Sequence, residues 1–164
     1  PSARKVSSFD ELRGKVFAYS DPLSNSGFLF AKDQLHALGE QDARFFRKSF
    51  FAFGHQNVIS AVSEGLADAG SVDGYVWDSL QRIKPDLTQN TRILTQSSRF
   101  GFPPFVAPIN RPQKEVVALR KALLGMHFSS DGRELLHELN LDGFESGQPS
   151  LFTSIEEMMK RVRA

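Results

Sequence analysis

A short polar segment, Ser24-Asn25-Ser26-Gly27, carries the residue types best suited to binding a small anion. It follows an apolar run that is typical of a strand and precedes a run with helical spacing. The first amides of a helix lack intrahelical partners and lie at the positive end of its dipole, so a tetrahedral oxyanion can bind there. The serine hydroxyls add donors, and Gly27 lets the backbone approach closely. The same pattern also fits an ordinary helix N-cap without a ligand.

Two further polar residues, His55 and Asp73, follow the next two predicted strands. Because parallel strands end at the same edge of a sheet, we expect both residues to lie near Ser24. His55 can donate a hydrogen bond to an anion, and Asp73 can accept the proton of a protonated phosphorus oxyanion. A capping or surface role would also explain each of them. Tyr75 is predicted either to line the same cleft or to pack in the core.

Composition and missing motifs exclude several other kinds of chemistry. The 164 residues contain no cysteine, which excludes disulfides, thiol nucleophiles and zinc–thiolate sites. No His and carboxylate cluster has metal-ligand spacing, and no Walker or Gly-x-Ser-x-Gly segment occurs, so neither a metal nor a cofactor is predicted. A net charge of +1 gives no reason to expect nucleic acid. No run of 18 apolar residues occurs that could span a bilayer.

Strand-like and helix-like segments alternate around these candidate residues. Strands are predicted at 15–19, 49–53, 68–72 and 91–95, and helices at 8–12, 28–38, 56–64 and 74–83. This order, with short connections, predicts an α/β fold with a mostly parallel sheet and helices on its faces. Residues 100–108 are rich in Gly and Pro, which favours a linker or an edge strand. Further helices are predicted at 114–126, 132–139 and 153–163.

Several segments resemble the phosphate-, phosphite- and phosphonate-binding proteins of ABC importers. The segments are 12–28, 50–55, 61–70 and 72–77, and the Ser-x-Ser-Gly turn and the Gly-His pair are the most specific of their features. The resemblance implies that Ser24, Asn25 and Ser26 bind a phosphorus oxyanion through hydroxyls and backbone amides, and that His55 donates a further hydrogen bond. Asp73 lies where this family places polar contacts to its ligand.

The resemblance also implies a type II periplasmic binding protein fold, with one whole lobe and part of a second. Residues 1–98 would form the ligand-binding lobe two, and residues 99–108 the return hinge crossing. Residues 109–164 would be helices of an incomplete lobe one, because the chain starts near the first crossing. The chain is then expected to bind weakly, or to form a homodimer that covers exposed apolar surface.

The expected function is that of a solute-binding component of an ABC importer, located in the periplasm or otherwise outside the cytoplasm. It would bind phosphate, phosphite or a short alkyl phosphonate and deliver it to a membrane permease. The segment from Phe100 to Pro108 has no acidic residue, which favours a ligand without an amine. One alternative is a ligand-sensing domain of a signalling protein. Another is a phosphoester enzyme, although His55 is its one candidate base and no nucleophile stands out.

Overall fold

The computed structural model describes residues 6–163 and divides the chain into two compact units. Unit 1 comprises Pro1–Arg99 together with Ser154–Ala164, and unit 2 comprises Phe100–Thr153. Within residues 6–163, no helix is both long enough and apolar enough to cross a membrane.

Unit 1 contains a three-stranded parallel sheet whose order is β2-β1-β3. The strands are β1 (Val16–Tyr19), β2 (Lys48–Phe51) and β3 (Ala69–Gly70). The α-helices of the chain are α1 (Phe30–Ala37), α2 (Asp42–Phe45), α3 (His55–Ser63), α4 (Gly74–Ile83), α5 (Pro85–Thr88), α6 (Gln113–Gly125), α7 (Ser130–Glu138) and α8 (Thr153–Arg163). A π-helical turn, Asn25–Leu29, runs directly into α1, and 3-10 turns lie at Asp10–Leu12, Met126–Phe128 and Pro149–Phe152. The predicted α/β fold with a mostly parallel sheet is confirmed.

The central strand β1 is buried on both faces, as its continuous apolar sequence predicts for a parallel strand. Alternate residues of a strand point to opposite faces, so Phe17 and Tyr19 enter one hydrophobic cluster and Ala18 enters another. The first cluster includes Leu35 of α1, and the second includes Val58 of α3. Helices on both faces therefore hold the strand whose end leads into the Ser24 turn.

Aromatic side chains dominate the first cluster. The rings of Phe17 and Phe46 stack with centroids 4.5 Å apart, and Phe9 stacks on Phe45 at 5.8 Å. The Tyr19 hydroxyl donates a hydrogen bond to Asp42, which also accepts one from the Ser49 hydroxyl at 2.5 Å. Burial, followed by the bond to Asp42, raises the pKa of Tyr19 far above its ordinary value. This polar pair gives the buried phenol the partner that burial requires.

The last helix, α8, belongs to unit 1 from Ser154 onward. The Arg161 guanidinium donates two hydrogen bonds to the carboxylate of Asp33 on α1, at 3.0 and 3.1 Å, and Met158 is buried. The sequence had grouped this helix with the helices of residues 109–152. The lobe boundaries 1–98, 99–108 and 109–164 stay a prediction.

The strand predicted at residues 91–95 is wrong. The Thr91 amide and hydroxyl both donate to the carbonyl of Thr88, so this segment continues the turn after α5 and does not pair with the sheet. Leu94 still packs against the aromatic cluster, which explains the apolar pattern without a strand. The strand predicted at 68–72 is shortened to two residues, and the short helices α2 and α5 were not predicted. The bounds predicted for α4 and α8 are confirmed.

Unit 2 has few buried side chains. Among its residues 100–153, only Gly132 and Leu136 are buried, and both belong to α7. None of the residues of α6 is buried. A Cβ added at Gly132 would overlap the carbonyl of Met126, so glycine lets α7 begin close to the preceding 3-10 turn. The helices predicted at 114–126 and 132–139 are confirmed with small shifts of their ends.

Two leucines three residues apart test the packing of α1. Leu35 is 1% exposed, whereas Leu38 at the end of the helix is 44% exposed. We expect Leu35→Ala to lower the free energy of unfolding by about 2–5 kcal/mol, because it leaves a cavity in the aromatic cluster. Leu38→Ala should change it by less than about 1 kcal/mol. Urea titrations of both variants test this, and equal losses would contradict the assigned packing.

Candidate functional site

Polar residues that follow the three strands meet in one hydrogen-bond network at the carboxyl edge of the sheet. The Ser26 hydroxyl donates to Asp73 Oδ2 at 3.0 Å, and the Asp73 amide donates to His55 Nδ1 at 3.0 Å. The Ser71 hydroxyl donates to the carbonyl of Ser26 at 2.6 Å. The three elements that the sequence predicted to converge here are therefore in contact, because parallel strands bring their ends to the same edge.

The Ser24 turn begins a continuous helical run that extends through α1. Ser24 is its N-cap, with extended backbone angles, and its Oγ accepts a hydrogen bond from the Gly27 amide at 2.9 Å. The Leu29 amide donates to the carbonyl of Ser24, which makes this first turn π-helical. The helix thus begins at Asn25, three residues before the start that the sequence predicted. The amides of Asn25 and Ser26 lie in the first turn, where helix geometry supplies no intrahelical acceptor.

Gly27 is required because the end of β1 lies directly against it. A Cβ added at Gly27 would overlap the Ser20 hydroxyl and would lie 2.9 Å from Ser24 Oγ. The Ser20 amide donates to the carbonyl of Gly27 at 3.0 Å, which fixes the turn to the end of the strand. The residue type at position 27 therefore sets how closely the helix N-terminus approaches the sheet.

Two buried polar atoms at this turn lack partners within residues 6–163. They are Ser20 Oγ and Asn25 Oδ1. Ser20 is 1% exposed, and its hydroxyl lies under the first helical turn, against Gly27. Buried polar groups are normally hydrogen-bonded, so unpartnered ones mark a place where a further polar group belongs. Sequence reasoning missed Ser20, although its position as the first polar residue after an apolar strand could have indicated it.

His55 is the first residue of α3, and its ring is held as a neutral hydrogen-bond donor. The Gly54 amide donates to the carbonyl of Ser20, which places His55 beside the first helix turn. Because Nδ1 accepts the Asp73 amide, the ring proton lies on Nε2. Burial lowers the pKa of His55 below its ordinary value, and the nearby carboxylates of Asp73 and Asp21 oppose this in part. The residue can therefore donate one hydrogen bond to an anion without carrying a charge.

Asp73 is the N-cap of α4, and both of its carboxylate oxygens accept hydrogen bonds within the protein. Oδ1 accepts the Tyr75 amide at 2.9 Å, and Oδ2 accepts the Ser26 hydroxyl. The capping role that the sequence left open is thus present. A direct contact of Asp73 with a ligand stays a prediction, as does that of Tyr75, which lies half-buried in the first turn of α4.

Two exposed apolar side chains flank the network along the chain. Leu23 precedes the Ser24 turn and is 96% exposed, and Phe53 lies two residues before His55 and is 73% exposed. Phe53 has φ of 53°, in the left-handed region that non-glycine residues rarely adopt. The sequence placed Phe53 at the end of a strand, whereas β2 ends at Phe51.

Within residues 6–163, no group of three or more His, Cys, Asp or Glu side chains could hold a metal ion. The network offers hydroxyl, amide and imidazole donors, which suit an anion.

A family model described as "ABC transporter, phosphonate, periplasmic substrate-binding protein" matches residues 1–152. The chain belongs to this family. The resemblance inferred from the Ser24 turn, the Gly54-His55 pair and their neighbouring segments is thereby confirmed. Members of this phosphonate-binding family are substrate-binding proteins of transporters and not enzymes, so the phosphoester-enzyme alternative is wrong.

Solved structures show the same fold. PhnD1 from Prochlorococcus marinus (MIT 9301), in complex with methylphosphonate, matches with a TM-score of 0.75 and 20% identity over 94% of this chain and 59% of that one. A binding protein component of an ABC phosphonate transporter from Pseudomonas aeruginosa matches with a TM-score of 0.82 and 15% identity, covering 97% and 54%. XAC2383 from Xanthomonas citri, bound to ATP, matches with a TM-score of 0.65 and 20% identity, covering 97% and 62%. The chain thus spans less than two thirds of these proteins.

Gly27→Ala tests the contact between the helix turn and the end of β1. The added methyl overlaps the Ser20 hydroxyl, so we expect a loss of about 1–3 kcal/mol in the free energy of unfolding. Gly74→Ala is the matched control, because a Cβ there meets nothing within 4 Å at the start of α4. Chemical denaturation of both variants gives their free energies of unfolding. A Gly27→Ala protein as stable as the Gly74→Ala control would contradict this packing.

The contribution of His55 to the stability of the folded chain should depend on pH, because the pKa of His55 is lowered in the fold. The unfolded chain binds more protons than the folded one between the folded pKa and the ordinary value of about 6.5. The contribution of His55 to stability is therefore complete above about pH 6.5 and is lost as the pH falls through the folded pKa. Imidazole ¹H–¹⁵N NMR should give a pKa below 6.5 and a proton on Nε2.

His55→Asn is the matched variant for this titration, because its Oδ1 lies at the same distance along the side chain as Nδ1. Its side-chain oxygen can still accept the Asp73 amide but does not titrate, so this part of the acid sensitivity should disappear. A neutral ring protonated on Nδ1 would contradict the assigned hydrogen bond.

Proposed function

We propose that this chain is the ligand-binding part of a solute-binding component of an ABC importer and that it binds a small phosphorus oxyanion, foremost an alkyl phosphonate. The observation that carries the proposal is the joining of the Ser24 turn, His55 and Asp73 in one network at the carboxyl edge of the sheet, in a chain of the phosphonate-binding family. The oxyanion would lie over the first turn of the helical run that begins at Asn25.

The donors of this site match the charge and number of phosphonate oxygens. They are the Ser24 hydroxyl, the first-turn amides of Asn25 and Ser26, and His55 Nε2. Ser24 Oγ accepts the Gly27 amide and so keeps its own proton for a ligand. The helix dipole adds about half an elementary positive charge at this end. The unpartnered Asn25 Oδ1 and Ser20 Oγ support the site, because a bound ligand or its water can satisfy or reorient them.

Phosphonate is favoured among the phosphorus oxyanions. The similar PhnD1 structure from Prochlorococcus marinus contains methylphosphonate, and the matching family carries the phosphonate description. Leu23 and Phe53 are exposed and lie one residue before Ser24 and two residues before His55, so either would suit the apolar substituent of a small alkyl phosphonate. Phosphate and phosphite remain proposed ligands of the same donors.

Transport requires a second lobe and a permease, both of which we propose for the whole protein. Unit 1 would be the ligand-binding lobe, unit 2 would belong to the return crossing and the other lobe, and closure of the two lobes would signal to the membrane permease. The family places such a protein outside the cytoplasm, and we propose the periplasm. The sensing alternative and the homodimer stay predictions.

Removal of the Ser24 hydroxyl tests the binding site. Ser24→Ala loses a donor to a charged ligand, so we expect methylphosphonate affinity to fall by about 1.5–3 kcal/mol, or roughly ten- to 150-fold. It also loses the N-cap bond to the Gly27 amide. Isothermal titration of the chain with methylphosphonate, phosphite and phosphate, before and after substitution, measures this change.

Ser129→Ala is the matched control. Ser129 caps α7 of unit 2 through its Oγ, which accepts the Gly132 amide at 3.0 Å, so its removal deletes an equivalent cap far along the chain. Both variants should lose about 0.5–2 kcal/mol of stability, but only Ser24→Ala should lose affinity. Equal affinities in the two variants would place the ligand elsewhere, and no heat from any of the three oxyanions would contradict the proposed function.

A further inference from the structure

A second group of charged side chains lies at the amino edge of the sheet in unit 1, where the strands begin. The Gly14 amide donates to the carbonyl of Phe45 at 2.7 Å, and the Arg47 amide donates to the carbonyl of Lys15 at 2.9 Å. These bonds bring the segment before β1 against the segment that leads into β2. Together the two segments carry five cations, which we call the basic edge: Arg13, Lys15, Arg44, Arg47 and Lys48.

Most of the basic edge has no carboxylate partner. Among the described residues 6–163, Arg13 pairs with Glu40 at 2.7 Å, whereas the other four cations make no ion pair. The side chains of Arg44, Arg47 and Lys48 are exposed. The net charge of the whole chain is only +1, so the positive charge is concentrated locally at this edge.

Three nearby carboxylates are already held by hydrogen bonds of the fold. Glu40 is bonded to Arg13, and the half-buried Asp42 accepts two hydroxyl hydrogen bonds. Asp68 Oδ2 accepts the Val16 amide at the start of β1, at 2.8 Å. None of the three lies within 4.0 Å of the four unpaired cations. An anionic surface can therefore contact these cations without first breaking an ion pair.

Two exposed leucines border the basic edge. Leu38 at the end of α1 is 44% exposed and lies two residues before Glu40, the partner of Arg13. Leu66 is 66% exposed and lies two residues before Asp68, which is bonded to the start of β1. Cations combined with exposed apolar side chains are typical of surfaces that bind at the headgroup level of a bilayer.

Anionic phospholipid fits this surface better than an acidic polypeptide. Three of the five cations are arginines, whose planar guanidinium groups can donate two parallel hydrogen bonds to one phosphate. The family consists of periplasmic substrate-binding proteins of transporters, so a membrane surface bounds the compartment in which they work. We propose that the basic edge is an interaction surface that docks unit 1 on a bilayer rich in anionic phospholipid.

Docking at the basic edge leaves the opposite edge of the sheet accessible. The four residues of β1 separate the two edges by about 13 Å, and the network of the Ser24 turn lies at the carboxyl edge. The docking surface is thus distinct from the ligand site, and it does not depend on which oxyanion the chain binds.

Co-sedimentation with lipid vesicles tests the docking. The chain is mixed with vesicles of phosphatidylglycerol and phosphatidylcholine in equal parts, or of phosphatidylcholine alone, at about 0.05 M salt. Four unpaired cations correspond to half-maximal binding near about 1 mM accessible anionic lipid. We expect no binding to phosphatidylcholine alone. Binding to the anionic vesicles should weaken at least about tenfold at about 0.5 M salt, where the screening length falls to about 4 Å.

Arg44→Glu combined with Arg47→Glu is the decisive variant, because both side chains are exposed and neither makes an ion pair. Each cation near an anionic surface raises the affinity about fivefold, so the double change should weaken vesicle binding more than about 25-fold. Lys114→Glu combined with Lys121→Glu is the matched control. It changes the net charge equally at two exposed positions of α6 and should weaken binding less than about threefold.

Lys48→Glu gives a second measurement if the double variant does not fold, as judged by circular dichroism. Its side chain is exposed at the start of β2, and the change should weaken binding more than about fivefold. If neither variant folds, the lipid and salt comparisons of the original chain decide.

The outcomes separate docking on lipid from other kinds of binding. Equal binding to the two kinds of vesicle, or a double variant that binds as its control does, overturns the proposal. Poly-glutamate bound as tightly as the anionic vesicles also overturns it and indicates an acidic polypeptide as the partner. An excess of methylphosphonate should leave vesicle binding unchanged. Release of the chain by methylphosphonate would place the headgroup phosphate at the Ser24 turn and would overturn the role of the basic edge, whereas a chain that binds the vesicles but no oxyanion contradicts the proposed function alone.

Discussion

The parallel pairing of β1 with a strand on each side is the constraint on which the rest of unit 1 depends. Phe17 and Ala18 are in register with residues of both β2 and β3, so all three strands run in the same direction. Their ends deliver the Ser24 turn, His55 and Asp73 to one edge, although these residues lie up to 49 positions apart in the chain. An antiparallel neighbour would place one of these groups at the opposite edge.

Much of this arrangement could be predicted from the sequence. The apolar run of residues 15–19 predicted a strand, and the alternation of strands and helices predicted a mostly parallel sheet. The turn residues after each strand predicted which groups would meet. The segment 91–95 was read wrongly because an apolar pattern reports burial of side chains and says nothing about backbone pairing. Leu94 is packed against the aromatic cluster, while the backbone at Thr91 bonds to a turn.

The candidate site could be predicted as a set of residues but not as a set of bonds. The sequence assigned hydroxyl donors to Ser24 and Ser26 alike, yet one accepts an amide and the other donates to a carboxylate. That difference arises because the fold places Asp73, the N-cap of α4, beside Ser26. A local sequence pattern cannot predict such a tertiary contact. Ser20 was missed for a related reason, because its significance comes from the close approach of Gly27 and not from its own neighbours in the chain.

The sparse interior of unit 2 affects how stability is distributed along the polypeptide. With Leu136 as the single buried large side chain among residues 100–153, little apolar area opposes local opening there. Amide protons of α6 and α7 should therefore exchange with solvent through low-energy fluctuations, whereas those of β1 should exchange only when the whole sheet unfolds. Cooperative unfolding would then be confined to the part of the polypeptide that contains the Ser24 turn.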